Sequence, residues 1–206
     1  VTTAACVCAV LAAAAPQAAD HTNLAPRIVL APESRLTLRG KSTLHDFASS
    51  ATRMHLEVQL SDQLPAGPSP LVRVSGTGAV KSAVLTIPVE GMKSEKDGLD
   101  KNMYKALKAA ANPNIVFRLH STAESSPAES GARFHVAGEL EVAGRRQPVE
   151  LEVHASETPG GILLEGRKAL LMSDYGIKPP KMFLGTLKTD DRVVVEWRLV
   201  LTNAGL

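Results

Sequence analysis

The chain is short of aromatic residues, with one Trp, two Tyr and four Phe among 206 residues, so any core must be built from Val, Leu, Ile and Ala. Its two cysteines, Cys6 and Cys8, both fall in the first nineteen residues. From Asp20 onward there is therefore no disulfide, no thiol chemistry and no Cys-ligated metal to consider. Neither sign of charge dominates: 23 Lys and Arg stand against 21 Asp and Glu, interspersed, which argues against a nucleic-acid partner. The sequence also lacks a Gly-x-Ser-x-Gly nucleophile elbow and a Gly-rich loop of phosphate-binding spacing. No repeat of fixed period is present.

What the sequence does have is alternation. Thr52, Met54, Leu56, Val58 and Leu60 share one parity, and Arg53, His55, Glu57 and Gln59 the other. Successive side chains on a strand point to opposite faces, so such a run has one dry side and one wet side. The pattern returns at Ala83–Val89, Ile115–His120, Phe134–Val142, Val149–Ala155, Ile162–Met172 and Val193–Leu201, with shorter runs at Arg35–Arg39 and from Phe47 to Leu60. Leu71–Val80 is ambiguous because Gly76 and Gly78 weaken it. Turn chemistry separates the runs: Pro65–Pro70, Ser125–Gly131, Ala143-Gly144-Arg145-Arg146 and Pro159-Gly160-Gly161 read as loops or hairpin connections. Pro88 marks an edge, an end or a bulge. One segment differs. Leu99, Met103, Ala106, Leu107 and Ala110 share a helical face, Asp97 or Gly98 precedes them as a cap, and Asn112-Pro113-Asn114 stops the helix. Many half-buried strands and one helix predict an all-β, antiparallel β-barrel with one helical insert.

The chain divides into three parts. Residues 1–19 are uncharged, rich in Ala and Val, and end in Gln17-Ala18-Ala19, which reads as an export signal peptide. Residues 20–33, with Pro26 and Pro32, read as a flexible leader. Residues 34–203 carry the strand pattern. By parity, the in-facing positions are Leu36, Leu38, Met54, Leu56, Val58, Leu85, Ile87, Phe117, Val136, Leu140, Leu151, Leu164, Leu170, Met172 and Trp197. His55, His120, His135 and His154 are out of phase with their strands' apolar sets and lack chelate spacing, so they read as solvated surface residues rather than metal ligands. His45 and Asp46 are adjacent, which puts them on opposite faces and argues against an acid–base pair. Tyr175 sits in a turn with Gly176 and is a candidate for touching a polar headgroup. Lys93, Lys96, Lys101, Lys178 and Lys181 are candidates for a cationic rim.

Several segments in order resemble one family. Gly40-Lys41-Ser42-Thr43-Leu44-His45-Asp46-Phe47 is similar to its G-x-S-T-L-H-[DN]-[WF] opening. Met92-Lys93-Ser94 with Asp100–Leu107 resembles its helical insert, and Asn112-Pro113-Asn114-Ile115-Val116-Phe117 its N-P-x-I-x-F strand entry. Gly138–Gly144 with Gln147-Pro148-Val149 resembles a G-x-L-x-[IV]-x-G hairpin, and Asp174-Tyr175-Gly176-Ile177-Lys178-Pro179-Pro180 a D-[FY]-G-I-x-P-P turn. These motifs resemble the YceI-like family of polyisoprenoid-binding periplasmic proteins. The resemblance implies a lipocalin-like barrel, periplasmic or otherwise exported, that carries or sequesters an isoprenoid or other long-chain lipid without catalysis and without a cofactor. Expected ligand-binding residues are His45, Phe47, Met54, Leu56, Leu85, Met103, Leu107, Phe117, Met172, Tyr175 and Trp197. Further expected contacts are the membrane surface, touched peripherally, and a second copy of the chain covering an edge strand. The alternative expectation is a ligand-free barrel acting as a periplasmic interaction partner of a membrane protein such as a cytochrome. An enzyme on the same scaffold, using His45, Asp100 or Tyr175, is a third.

Overall fold

In a computed structural model, which describes residues 28–43, 46–61, 78–128, 131–179, 181–182 and 187–203, the alternating runs become the rungs of one curled sheet. The strands are β1 (Ile28–Leu30), β2 (Arg35–Ser42), β3 (Phe47–Ala51), β4 (His55–Leu60), β5 (Val80–Pro88), β6 (Met92–Ser94), β7 (Asn114–Ala128), β8 (Gly131–Val142), β9 (Arg145–Thr158), β10 (Gly161–Leu171), β11 (Lys181–Met182) and β12 (Leu187–Asn203), with helix α1 (Asp97–Ala106) between β6 and β7. All pairings are antiparallel and follow the order β4-β5-β7-β8-β9-β10-β12-β2-β3-β6, with β1 and β11 attached to β12. The fold is an antiparallel, lipocalin-like barrel with one helical insert. Its two end strands, β4 and β6, are not paired to each other among the described residues.

The expected turns form where their chemistry demands. Ala143 and Gly144 both take positive φ, 51° and 78°, which lets the β8–β9 hairpin turn with the right-handed twist of its strands. Pro88, which has no N–H to give, is the last residue of β5.

Four local expectations need correction. Phe47–Leu60 is two strands, not one. Thr52 donates both its N–H and its hydroxyl to the Gly91 carbonyl, each at 2.8 Å, and this corner sends the chain from the β2–β3–β6 side to the β4–β5 side. The segment read as leader ends in β1: Ile28–Leu30 pairs with Leu201–Asn203, although prolines lie on both sides of it. The stretch read as a polar loop, Ser125–Gly131, is mostly strand, since β7 runs to Ala128 opposite Gly131. Ser125-Ser126-Pro127-Ala128 has no apolar–polar alternation to show it. Finally, α1 is shorter than Leu99–Ala110. It ends at Ala106, and Lys108 at φ 54° turns the chain out of the helix. Neither Asp97 nor Gly98 is its cap. Lys96 occupies that position and makes no side-chain cap bond.

Candidate functional site

The buried core is divided. At one end, Val89, Leu107, Val142, Ala143, Tyr175 and Ile177 pack together under α1. Toward the other end, Ala155 and Ile162 pack with Phe134, Leu164 and Leu201. Between the two clusters, the in-facing residues of β8 read Phe134, Val136, Gly138, Leu140, and those of β10 read Leu164, Gly166, Lys168, Leu170. The small residues fall in the middle of each series. A side chain at either glycine would meet an aromatic ring: a Cβ on Gly138 would lie 2.6 Å from Phe117, and one on Gly166 would overlap Trp197 and lie 2.6 Å from the Glu152 carbonyl oxygen. Phe117 and Trp197 thus lie flat along the wall over neighbouring glycines and do not cross the interior. The result is a cavity of about 470 Å³ with an almost wholly apolar lining, of the size that holds small ligands. The interior is not filled.

Leu56 and Leu85 line the cavity from the paired strands β4 and β5, and Phe117 from β7. Phe47 contributes from β3, Trp197 from β12, and Met172 and Tyr175 from the turn after β10. Met103 and Leu107 reach it from the lid helix and its C-terminal cap. Of the in-facing positions assigned by parity, Met54 alone does not line it. It packs beside Leu36, Ala51, Ile87 and Met92, in the stretch between the corner at Thr52 and the start of β4 at His55. His45 lies outside the described residues. Asp46 is exposed. His55, His120 and His135 are exposed, His154 is half-buried, and none of the four lines the cavity.

Polar chemistry is concentrated at the lid. Asp100, on the first turn of α1, is 3% exposed. Its Oδ1 accepts hydrogen bonds from the Ser94 hydroxyl and the Ser94 N–H, both at 2.7 Å. Lys93 Nζ stands 3.7 Å from Oδ2 and also lies over the Tyr104 ring, 5.4 Å from its centre. The Ser94 hydroxyl, then its N–H and Lys93, hold the Asp100 carboxyl below its ordinary range. The Tyr104 hydroxyl donates to the Glu90 and Met92 carbonyls at 3.1 and 2.8 Å, which ties the helix to β6. Asp100 and Tyr104 are therefore committed to anchoring the lid.

Sequence reasoning missed Lys168. It lines the cavity as the one charged side chain to do so among the described residues, whereas none of Lys93, Lys96, Lys101 and Lys178 does. The signal was present: Lys168 shares in-facing parity with Leu164 and Leu170. It stands where the wall opens. The β9–β10 ladder ends at Glu165 opposite His154, although β9 continues back to Arg145 on β8 and β10 continues to Leu171 on β12. A second, outer hollow of about 520 Å³ lies along this seam, between Gln147–Glu150 and Lys168–Leu171. Lys168 and Tyr175 border both spaces. Burial pushes the Tyr175 phenol up, and the neighbouring Asp174 charge adds to the effect.

Comparison with known proteins gives one family and one fold. The family model described as YceI-like domain matches residues 40–201. No match to a curated protein sequence was found. Among solved structures, BcnA from Burkholderia cenocepacia superposes with a TM-score of 0.63 at 15% identity, covering 81% of this chain and 95% of that one. A polyisoprenoid binding domain from Saccharophagus degradans, implicated in plant cell wall breakdown, gives 0.60 at 13% identity over 86% and 99%. A Campylobacter jejuni YceI protein gives 0.56 at 14% identity over 77% and 85%.

Proposed function

The chain belongs to the YceI-like family, and from that premise we propose that it is an exported, non-catalytic lipid carrier that takes an isoprenoid or other amphiphilic chain into its barrel. The observation that carries this reading is the apolar cavity of about 470 Å³ held open between two packed clusters. Burial of the tail supplies the affinity, at about 25 cal/mol per Å² of apolar surface removed from water. The Saccharophagus degradans domain of the same fold, a polyisoprenoid binding domain, supports the ligand class. Residues 1–19, read as an export signal, support the compartment. Among the described residues no helix is long and apolar enough to cross a membrane. The reading asks for no chemistry, and Asp100, the buried carboxylate, is spoken for by Ser94.

The test is native mass spectrometry of protein purified without detergent, followed by titration of the delipidated protein with farnesol and longer prenyl alcohols. Trp197, the one tryptophan, lines the cavity and reports occupancy by its fluorescence. A one-to-one lipid adduct, or a saturable Trp197 shift on titration, is the expected result. Protein that comes off bare and shows no saturable shift with any chain overturns the proposal and returns the weight to a ligand-free interaction partner.

A further inference from the structure

An ammonium in an apolar wall is unfavourable unless something answers its charge. Lys168 is half-buried, and among the described residues it is the one charged residue lining the cavity and makes no hydrogen bond or ion pair. It is not left at a strand end. It sits in full register opposite Val195 of β12, with Leu164 and Leu170 before and after it on the same face. Beside it the wall is open: β10 has no cross-strand pairs with β9 from Gly166 onward, and Pro148 on the β9 side removes a backbone donor from that edge. Tyr175 borders the same two spaces, is 4% exposed, and its hydroxyl has no hydrogen-bond partner among the described residues. The carboxylates nearby, Glu150 and Asp174, border the outer hollow but not the cavity. The side that faces a bound tail therefore presents a cation and a phenol, with the negative charge behind them.

We propose that Lys168 and Tyr175 form the headgroup site for an acidic lipid, one whose chain occupies the cavity and whose carboxylate or phosphate lies against them on the cavity side of the seam between β9 and β10, the side that Glu150 and Asp174 do not border. The inference rests on the carrier reading above and narrows it to amphiphiles with an anionic head. Lys168 provides a compact charge with three donors, and Tyr175, protonated at neutral pH, provides one O–H. An alcohol or quinone head gains a hydrogen bond there but leaves the ammonium unneutralised. The competing explanation is that Lys168 only lays its aliphatic stem along the wall.

Two matched pairs of probes separate these ideas: farnesyl monophosphate against farnesol, and palmitate against hexadecanol. Each is titrated into delipidated wild type, Lys168→Met, Lys168→Arg and Tyr175→Phe, with Trp197 fluorescence as readout and thermal melting as the check on folding. Wild type is expected to prefer an acid over its alcohol by about tenfold or more, and the pair with the larger ratio tells phosphate from carboxylate lipids. Lys168→Met is expected to abolish the ratio, Lys168→Arg to restore most of it, and Tyr175→Phe to lower it. A wild type that binds acid and alcohol alike overturns the headgroup site, as does a Lys168→Met protein that keeps the preference. Either outcome leaves the carrier reading standing. If no probe of either pair binds, the headgroup site fails, and the native mass spectrum and the longer prenyl alcohols decide the carrier reading.

Discussion

Under the lid, Leu107, Val142, Ala143 and Ile177 close around Val89, which is 1% exposed. In the middle of the barrel, Leu56, Val58, Phe117, Val136 and Leu151 come from the same pool of apolar residue types, yet all are only half-buried and line open space. Composition does not separate these regions. What separates them is side-chain size at matched depth and the presence of a helix. The lid pole receives Met103 and Leu107 from outside the sheet, whereas the barrel middle has glycines at Gly138 and Gly166 where another strand residue would project inward. Close packing at the pole supplies stability, and the absence of packing in the middle supplies room. Mutations that truncate the pole should therefore act on folding, and mutations that fill the middle should act on binding.

The largest effect on stability is expected from Leu107→Ala, which empties a buried site contacted from several sides and should cost about 2–5 kcal/mol in denaturant unfolding. A loss below about 1 kcal/mol would mean that the lid does not belong to the folding core. Gly166→Ala is next. Its methyl group would displace Trp197 and press on the Glu152 carbonyl, a strain of about 1–3 kcal/mol that should also shift the Trp197 emission. Unchanged emission would show that the ring does not lie over Gly166. Val136→Phe sharpens the contrast from the other side. It adds bulk where there is space, so stability should change by less than about 1 kcal/mol while the apparent affinity for a prenyl alcohol falls about tenfold. If it unfolds the protein and spares binding, the two regions have been assigned the wrong way round.

The barrel was legible because period-two alternation is a strong signal in long strands, and Leu85, Phe117, Leu140, Leu164 and Trp197 could be turned inward on that basis alone. Corners were not legible. Nothing in Thr52 itself shows that its hydroxyl and N–H both find Gly91, 39 positions away, or that Met54, just past that corner, packs into a cluster with Leu36 and Met92 and does not border the open cavity. The glycines were readable only as strand weakeners. That Gly40 lies under Phe47, and Gly166 under Trp197, depends on cross-strand register, which a single strand does not encode. Lys168 was missed for a different reason. The in-facing set is drawn from apolar residues alone, so the one charged residue that shares the parity of Leu164 and Leu170 is left out of it.

The smallest effect concerns how the filled pole is fastened. Asp100 has its carboxyl lowered, first by the Ser94 hydroxyl and then by the Ser94 N–H and Lys93, from an ordinary value of 3.8. A group whose pKa is depressed on folding contributes stability above its unfolded value, and loses it as pH falls through the folded one. The attachment of α1 should therefore be intact at neutral pH and loosen only as the medium is acidified below 3.8, with amides of α1 exchanging faster while those of β8 and β9 stay protected. Asp100→Asn keeps an oxygen that accepts from Ser94 but removes the charge that Ser94 and Lys93 favour, so it should flatten this acid-side change by loosening α1 already at pH 7. Ser94→Ala should remove the largest cause of the shift, so that α1 is held less firmly at pH 7 and loses less on acidification. If α1 exchanges with the same pH profile in all three proteins, the lid is held by Leu107 and Met103 alone, and its polar contacts do not distinguish the pole from the barrel middle.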